Sequence, residues 1–249
     1  MWIYGINTVA TVLSKRPKGV KEILLVRSNK GRDDKDPNQK IEDLLSLAKE
    51  RSIKVSSISA TEVQDRTGIK ESANHQRVLA LIEPKPSKNL KELLDVHSKN
   101  RVFLMLDGVT DQNNLGAIIR TSVALGVEAI ILPKDRSAHI KDDVYKTSVG
   151  TVEDIDICVE VNLVRAVEAL KEKGFWVYGF EEDATKAIHE ADLKGNVCCI
   201  MGGEDTGIRK LLSENCDMLL KIPMSNKVQS LNVSVSCGIV LYEVQRQKM

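Results

Sequence analysis

The sequence of 249 residues lacks the features that mark several classes of protein. Its formal net charge is only +1, which argues against a generally basic nucleic-acid coat, so any RNA contact must come from local clusters. No apolar run approaches the roughly 18 residues of a membrane span. Residues 1–5 contain no basic segment followed by a long apolar one. We therefore expect neither an integral membrane protein nor a signal peptide.

Cysteine and histidine show no metal-binding spacing. The five cysteines are Cys158, Cys198, Cys199, Cys216 and Cys237, and no pair forms C-x-x-C. Most stand in apolar surroundings, so we interpret them as small buried hydrophobic residues. Reduced thiols suit the cytoplasm, which is the predicted location. The four histidines lie far apart in sequence, and we predict no metal.

The common phosphate-binding signatures are also missing. No G-x-x-x-x-G-K-[ST] occurs, and Gly202-Gly203-x-x-x-Gly207 has the wrong spacing for a pyrophosphate loop. Strands that end in polar, turn-prone loops nevertheless indicate a ligand site. A ligand without phosphates resolves the contradiction. S-adenosylmethionine fits, because backbone groups and an apolar wall can bind its adenine, ribose and amino-acid end.

Alternating strands and helices predict an α/β protein of two domains. The first domain spans residues 1–84, a polar linker with two prolines spans 85–98, and the second domain spans 99–249. Hydrophobic patterning in the first domain predicts helices at 5–14, 38–50 and 61–67, a polar loop at 31–38, and strands at 22–26, 53–58 and 78–82.

The second domain shows continuous apolar runs, which are typical of strands buried on both faces of a sheet. They predict strands at 102–106, 127–132, 175–180, 197–201 and 218–222, with helices at 114–125, 141–148, 162–173 and 206–214. Gly126 suits a left-handed helix end. The last segment fits a helix better than a strand, and Ser230 is placed to cap it.

Three loops with the same strand, loop and helix form would gather at one end of the sheet. They are N-L-G-A-I-I-R at 114–120, M-G-G-E-D-T-G at 201–207, and I-P-M at 222–224 followed by S-L-N-V-S-V at 230–235. With these blocks the chain resembles the SpoU (TrmH) family of RNA ribose 2′-O-methyltransferases in the SPOUT superfamily. Within that family it is most similar to the bacterial enzymes that methylate guanosine of large-subunit rRNA.

The resemblance implies a fold and a set of site residues that composition and spacing do not. It implies a trefoil knot in the second domain, a ribosomal-protein-like RNA-binding first domain, and a homodimer that shares its RNA site between chains. It implies neither DNA nor a membrane as partner. The cofactor, S-adenosylmethionine, maps onto Gly202, Ile222 and Leu231. The family's catalytic residues map onto Asn114, Arg120, Glu204, Ser230 and Asn232.

The implied reaction is an in-line displacement, so positioning of the reacting atoms does most of the work. A free guanidinium cannot act as a base, since its pKa exceeds about 12. We therefore interpret Arg120 as an anchor for the 2′-hydroxyl or a phosphate. Asn114 and Glu204 would orient Arg120 or hold the ribose, while Ser230 and Asn232 would line the substrate side. The 2′-hydroxyl distinguishes RNA from DNA.

Other interpretations of these residues stay open. Asn114 could be a helix N-cap, and Gly202 a simple turn residue. The whole chain could be a transfer-RNA methyltransferase, a non-catalytic RNA-binding ribosome-assembly factor, or an unrelated α/β nucleotide enzyme. Basic residues of the first domain could bind phosphate or form a solvated face: Lys15, Arg16, Lys18, Lys21, Arg27, Lys30 and Arg32.

One departure from the family pattern concerns the loop before the last N-terminal strand. The family often continues His-Gln with glycine, whereas this chain has His75-Gln76-Arg77. Arginine does not easily adopt the positive φ angles open to glycine, so a different loop conformation is expected here.

Overall fold

The computed structural model describes residues 1–27, 39–70, 72–204, 206–225, 227–228 and 230–249. The predicted polar loop at 31–38, together with Lys30 and Arg32, lies outside them. By contacts the chain divides into two units, one of Met1–Lys85 with Ile140–Asp154 and one of Pro86–His139 with Ile155–Met249. Residues 140–154 therefore group with the first unit, although they fall within the range predicted for the second domain.

The first unit contains a four-stranded sheet in the order β1-β4-β2-β3. Its strands are β1 (Trp2–Tyr4), β2 (Val20–Val26), β3 (Lys54–Ile58) and β4 (Val78–Ile82). Strand β2 is parallel to β3, and β4 is antiparallel to both β1 and β2. The unit's helices are α1 (Ile6–Lys15), α2 (Gln39–Glu50), α3 (Glu62–Thr67) and α6 (Asp142–Thr147). All the strands and helices predicted for residues 1–84 are confirmed, whereas β1 is too short to show a pattern and was missed.

A buried ion pair attaches the segment 140–154 to the rest of this unit. The Glu153 side chain is only 1% exposed and accepts hydrogen bonds from Arg16 Nε at 2.8 Å, Arg16 Nη2 at 3.0 Å and the Tyr145 hydroxyl at 2.9 Å. Burial and the neighbouring Glu153 carboxylate raise the pKa of Tyr145, which keeps its hydroxyl a donor. These contacts join residues far apart in sequence, so periodicity could not reveal them.

The second unit is built on a seven-stranded sheet in the order β7-β6-β5-β10-β8-β11-β9. Its strands are β5 (Val102–Asp107), β6 (Ala129–Pro133), β7 (Asp156–Glu160), β8 (Trp176–Phe180), β9 (Lys186–Ala187), β10 (Val197–Gly202) and β11 (Met218–Lys221). Each neighbouring pair is parallel, and every residue of β5 is buried, as the apolar runs predicted. Strands β7 and β9 were not predicted, because they stand at the two edges of the sheet and lack a long apolar run.

The helices of the second unit are α4 (Leu90–Leu94), α5 (Gln112–Ala124), α7 (Leu163–Glu172), α8 (Lys210–Ser213) and α9 (Val233–Lys248). Gly126 has φ 74°, which confirms the left-handed end after α5. Helix α8 is shorter than the predicted 206–214, because residues 206–209 belong to a loop. Within the described part of the chain, no helix is long and apolar enough to cross a membrane.

The closing segment is helical as predicted, but its predicted cap is wrong. The N-cap of α9 is Asn232, whose side chain accepts a hydrogen bond from the Ser234 backbone N–H at 3.0 Å. Ser230 lies two residues earlier and is exposed. Serine and asparagine cap helices about equally well, so sequence alone could not separate the two positions.

Candidate active site at the strand ends

The loops that follow β5, β8, β10 and β11 leave the same edge of the sheet, because all four strands are parallel. Strands β5 and β10 are neighbours, and their last residues, Asp107 and Gly202, are paired in register. Ligands of open α/β sheets bind outside the carboxyl ends of strands. The edge formed by these loops is therefore the place to look for a site.

Three predicted site residues from three of these loops form one hydrogen-bonded cluster. Glu204 Oε1 accepts from Asn114 Nδ2 at 3.1 Å and from Asn232 Nδ2 at 2.8 Å. Asn232 Nδ2 also donates to Asn114 Oδ1 at 3.0 Å. The two amides thus hold one carboxylate oxygen from both sides. We call Asn114, Glu204 and Asn232 the amide–carboxylate cluster.

The start of α5 directs Asn114 towards this cluster. Asp111 is the N-cap of α5, and its Oδ1 accepts a hydrogen bond from the Asn114 backbone N–H at 2.8 Å. The interpretation of Asn114 as the cap is therefore wrong. Since Asp111 satisfies the backbone, the Asn114 side chain remains available to bond Glu204 and Asn232.

Two glycines let the loop after β10 turn back closely on its neighbours. A Cβ on Gly202 would overlap the Gly207 carbonyl carbon and the Ile208 backbone nitrogen. A Cβ on Gly203 would stand 2.5 Å from the Gly108 carbonyl oxygen. Any side chain at either position must displace backbone. Both glycines are therefore needed because a side chain would not fit in this loop, and they are more than simple turn residues.

An ion pair that the sequence did not predict ties the same loop to the end of β5. Asp107 is 2% exposed, and its carboxylate accepts from the Arg209 backbone N–H at 2.9 Å and from Arg209 Nε at 2.8 Å, with Arg209 Nη2 at 2.7 Å. A buried carboxylate is costly unless it is paired and hydrogen-bonded, and Arg209 supplies both. The pair holds the loop that carries Glu204 against β5.

The first of two adjoining cavities has a volume of about 540 Å³. Predicted site residues line it: Gly202, Glu204, Ile222, Ser230, Leu231 and Asn232. Three acidic residues that were not predicted, Glu181, Glu182 and Asp183, also line it. They directly follow β8, so applying the strand-end rule to the predicted strand 175–180 would have found them.

The second cavity, of about 310 Å³, lies beside the first. Both are lined by Gly203, Glu204, Thr206 and Val233. The second is also lined by Asn114 and by two arginines that were not predicted, Arg136 and Arg209. The amide–carboxylate cluster therefore stands where the two cavities meet.

Arg120 is not part of this arrangement within one chain. It is exposed on α5 and lines neither cavity. In the described residues the side chains of Asn114 and Glu204 bond each other and Asn232. Their expected role, to orient Arg120 or to hold the ribose, stays a prediction. Any role of Arg120 in this site needs a second chain or a substrate that reaches it.

The cysteines are poorly placed to act as nucleophiles in this site, because none of them lines either cavity. Four of the five are buried and Cys216 is half-buried, which confirms the sequence interpretation. Burial raises the pKa of Cys199, on β10, to about 12, and that of Cys216 also to about 12. Both thiols therefore stay protonated near neutral pH. The reactive groups available are amides, carboxylates, hydroxyls and guanidinium, which suit positioning and proton handling.

Comparison with known proteins agrees with this geometry. Residues 101–242 match the model of the SpoU rRNA Methylase family, and residues 2–88 match the family described as RNA 2′-O ribose methyltransferase substrate binding. The chain belongs to the SpoU rRNA methylase family, which confirms the family and the enzyme class, an RNA methyltransferase, predicted from the three loops.

Two relatives that match along almost the whole chain carry the same name. The chain is 39% identical over 249 residues to the 23S rRNA (guanosine-2′-O-)-methyltransferase RlmB of Vibrio cholerae, covering 99% of this chain and 97% of that protein. It is also 39% identical over 251 residues to RlmB of Pseudomonas aeruginosa, covering 99% and 96%.

Solved structures share the fold. An AdoMet-bound rRNA methyltransferase from Sinorhizobium meliloti superposes with a TM-score of 0.79 at 23% identity, covering 100% of this chain and 87% of that one. The SpoU methyltransferase AviRb from Streptomyces viridochromogenes, in complex with AdoMet, gives 0.79 at 20% identity, covering 99% and 90%.

Proposed function

We propose that this chain transfers a methyl group from S-adenosylmethionine to the ribose 2′-hydroxyl of a guanosine in 23S rRNA. The amide–carboxylate cluster at the junction of two cavities carries the proposal, because one cavity can hold the donor and the other the acceptor. The relatives named above are 23S rRNA enzymes, which supports this substrate. The similarity to enzymes that act on ribosomal RNA also supports the predicted cytoplasmic location.

The first cavity suits S-adenosylmethionine in chemistry as well as in size. The donor carries a positive sulfonium and ammonium, and Glu181, Glu182, Asp183 and Glu204 place carboxylates on the cavity lining. When bound, S-adenosylmethionine supplies a methyl group that its sulfonium already activates. Gly202, Ile222 and Leu231 would bind the cofactor, as the family resemblance implies.

The chain's own task is to place and deprotonate a 2′-hydroxyl. Glu204 Oε1 is engaged by both asparagine amides, so the carboxylate is held in one orientation at the edge of the acceptor cavity. Asn114 and Glu204 would hold the ribose. Ser230 and Asn232 were predicted to line the substrate side, but they line the first cavity, which is assigned here to the donor. Arg120 would act as an anchor for the 2′-hydroxyl or a phosphate.

We propose a homodimer in which Arg120 serves the site of the partner subunit. Its position outside both cavities supports this arrangement. An exposed apolar stripe on α9 supports it as well, since Val235, Ile239 and Tyr242 are 50%, 39% and 59% exposed. In the same proposal the loops after β10 and β11 and helix α9 form the family's trefoil knot.

The first unit is proposed as a ribosomal-protein-like module that captures RNA. Its match to the substrate-binding family supports this role. Several of the basic side chains that could contact phosphate, however, already form ion pairs within the protein. Lys15 bonds Asp154 at 2.9 Å, Arg16 bonds Glu153, and Lys21 bonds Glu83 at 2.8 Å. Within the described residues, Lys18 and Arg27 make no ion pair and are the better candidates for phosphate contact.

The test is methyl transfer with labelled S-adenosylmethionine to separated 23S rRNA, 16S rRNA and transfer RNA. Label in 23S rRNA alone is expected, and Asn114→Ala should abolish it. Label in transfer RNA would favour the alternative substrate. RNA binding without any transfer would favour the assembly factor, and stabilisation by another nucleotide but not by S-adenosylmethionine would favour an unrelated nucleotide enzyme.

A further inference from the structure

The second cavity has an unusual charge arrangement. Its lining contains three carboxylates, Asp107, Asp111 and Glu204, and two guanidinium groups, Arg136 and Arg209. Counted by formal charge, it would repel an anion. The hydrogen bonds show which of these charged groups already have a partner in the protein, and one arginine has none among the described residues.

Each carboxylate of this cavity has its own donors. Arg209 pairs with Asp107, the Asn114 backbone N–H bonds Asp111 Oδ1 at 2.8 Å, and two asparagine amides bond Glu204. Arg209 is therefore committed to a buried partner. In the part of the chain that the structure describes, Arg136 alone among these five charged groups makes no ion pair or side-chain hydrogen bond.

The backbone holds Arg136 in place at a cost. Its φ is 58°, in the left-handed region that a residue with a side chain rarely adopts. The loop that carries it is tied to the loop after β5, because the Ala138 backbone N–H donates to the Val109 carbonyl at 2.8 Å. Strained residues persist where the surroundings hold them, and they cluster at functional sites. Arg136 is exposed, so water solvates its guanidinium in the free protein, and a cation held in this conformation on the cavity wall is placed to contact an anionic ligand.

We propose that Arg136 binds the phosphodiester on the 3′ side of the target nucleotide, with the target ribose in the second cavity. This inference rests on the proposed methyl transfer. The 3′ phosphate is attached to the ribose carbon next to the one that bears the 2′-hydroxyl, so it is the nearest anion to the reacting oxygen. A guanidinium suits it, because its fork of N–H donors matches phosphate oxygens. Arg136 is thus a substrate-positioning residue for the reaction.

The experiment uses the full chain and a 23S rRNA fragment that the wild-type protein methylates. For the binding measurements two copies carry 2′-deoxyguanosine at the target, one with the native phosphodiester and one with a neutral methylphosphonate linkage 3′ to it, because a free 2′-hydroxyl would cleave the neutral linkage. Arg136→Gly removes the guanidinium and relieves the left-handed strain, so the fold is kept. Arg136→Lys keeps a point charge without the fork. Lys134→Gly is the matched control, since Lys134 is an exposed cation of the same loop that lines neither cavity.

Wild-type protein should bind the neutral-linkage fragment roughly ten- to hundredfold more weakly than the native one. Arg136→Gly should show that loss already on native RNA and no further loss on the modified RNA. Its salt slope should fall by about 0.7, the value for one phosphate on a single strand. Affinity for S-adenosylmethionine should be unchanged, Arg136→Lys should be intermediate, and Lys134→Gly should match the wild type.

Two results would overturn the inference. One is a wild-type protein that methylates RNA but binds both fragments equally. The other is an Arg136→Gly variant that still discriminates between them as the wild type does. In either case the methyltransferase proposal would stand and only the phosphate site would be lost. Failure of the wild-type protein to methylate any RNA would remove both proposals together.

Discussion

Asn232 Nδ2 donates a hydrogen bond to the side-chain oxygen Oδ1 of Asn114 at 3.0 Å, across 118 residues of sequence. The bond joins the N-cap of α9 to the first turn of α5. Because Glu204 accepts from both residues, each of three strand-end loops fixes the other two. The geometry of the candidate site therefore depends on amide groups that can donate and accept at once.

Asn232→Asp should remove catalysis while keeping the helix cap. An aspartate can still accept from the Ser234 N–H, but it loses the donor to Glu204 at 2.8 Å and to Asn114 at 3.0 Å. It also sets a second carboxylate beside Glu204. We expect kcat for methyl transfer to fall roughly a hundredfold or more, with little change in Tm.

The matched control for this change is Asn162→Asp. Asn162 caps α7, and its Oδ1 accepts from the Val164 and Arg165 backbone N–H groups at 3.0 and 3.3 Å, without a bond to the cluster. Full activity is expected there. Wild-type transfer by Asn232→Asp would mean that the cluster does not act in catalysis.

Gly202→Ala should weaken cofactor binding because its methyl group would meet the backbone of Gly207 and Ile208. Overpacking of this kind costs about 1–3 kcal/mol. If the loop moves to relieve this overlap, affinity for S-adenosylmethionine in calorimetry should fall roughly ten- to hundredfold. Gly207→Ala is the comparison, since its Cβ would have nothing within 4 Å and only the φ of 61° opposes it. A Gly202→Ala protein with wild-type affinity would contradict the proposed role of this loop.

The loop at Arg77 keeps the conformation expected of glycine, contrary to the expectation of a different loop. Gln76 and Arg77 have φ of 53° and 67°, and Arg77 Nε donates to the Val26 carbonyl at 2.9 Å. Arg77→Gly and Arg77→Ala both remove this side chain, but only glycine relieves the strain. We expect the glycine variant to be more stable than the alanine variant by about 1 kcal/mol in thermal unfolding.

The order should reverse at Arg66, which lies within helix α3. There Arg66→Gly should be less stable than Arg66→Ala by about 1 kcal/mol, because glycine is unfavourable inside a helix. An alanine variant that is the more stable at Arg77 as well as at Arg66 would show that Arg77 is not strained.

Two adjacent acidic residues of the segment 140–154 should differ sharply in their effect on stability. Glu153→Ala leaves Arg16 and the Tyr145 hydroxyl without their shared buried partner, and should cost about 3 kcal/mol of the free energy of unfolding. Asp154→Ala breaks only a pair with Lys15, whose side chain is 54% exposed, and should cost less than about 1 kcal/mol. Denaturant unfolding of both variants measures the difference, and equal losses would contradict the buried-pair assignment.

The sequence predicted what depends on local pattern. Continuous apolar runs located five strands of the parallel sheet, and the resemblance of the loops at their ends to the SpoU family supplied Asn114, Glu204 and Asn232. Contacts between distant residues were out of reach. The Asp107–Arg209 pair joins residues 102 apart, and the Arg16–Glu153 pair joins residues 137 apart. Neither pair produces a periodic pattern in the sequence, because each consists of one residue from each of two distant segments.

The place of Arg120 could not be predicted for a different reason. It lies in the same motif as Asn114, six residues further along α5. At 3.6 residues per turn, six residues do not return to the same face of a helix. Helical geometry therefore separates two residues that the motif presents together. The roles assigned to both in catalysis stay predictions.

The most direct test of the central claim is the position of the methyl group on the RNA. Unmethylated 23S rRNA is incubated with S-adenosylmethionine and either wild-type protein or Asn114→Ala, and alkaline hydrolysis then maps each protected 2′ position. We predict a single protected 2′ position, that of a guanosine, with the wild type and none with the variant. Equal protection by both proteins, or methylation that leaves every 2′ position open to cleavage, would contradict it.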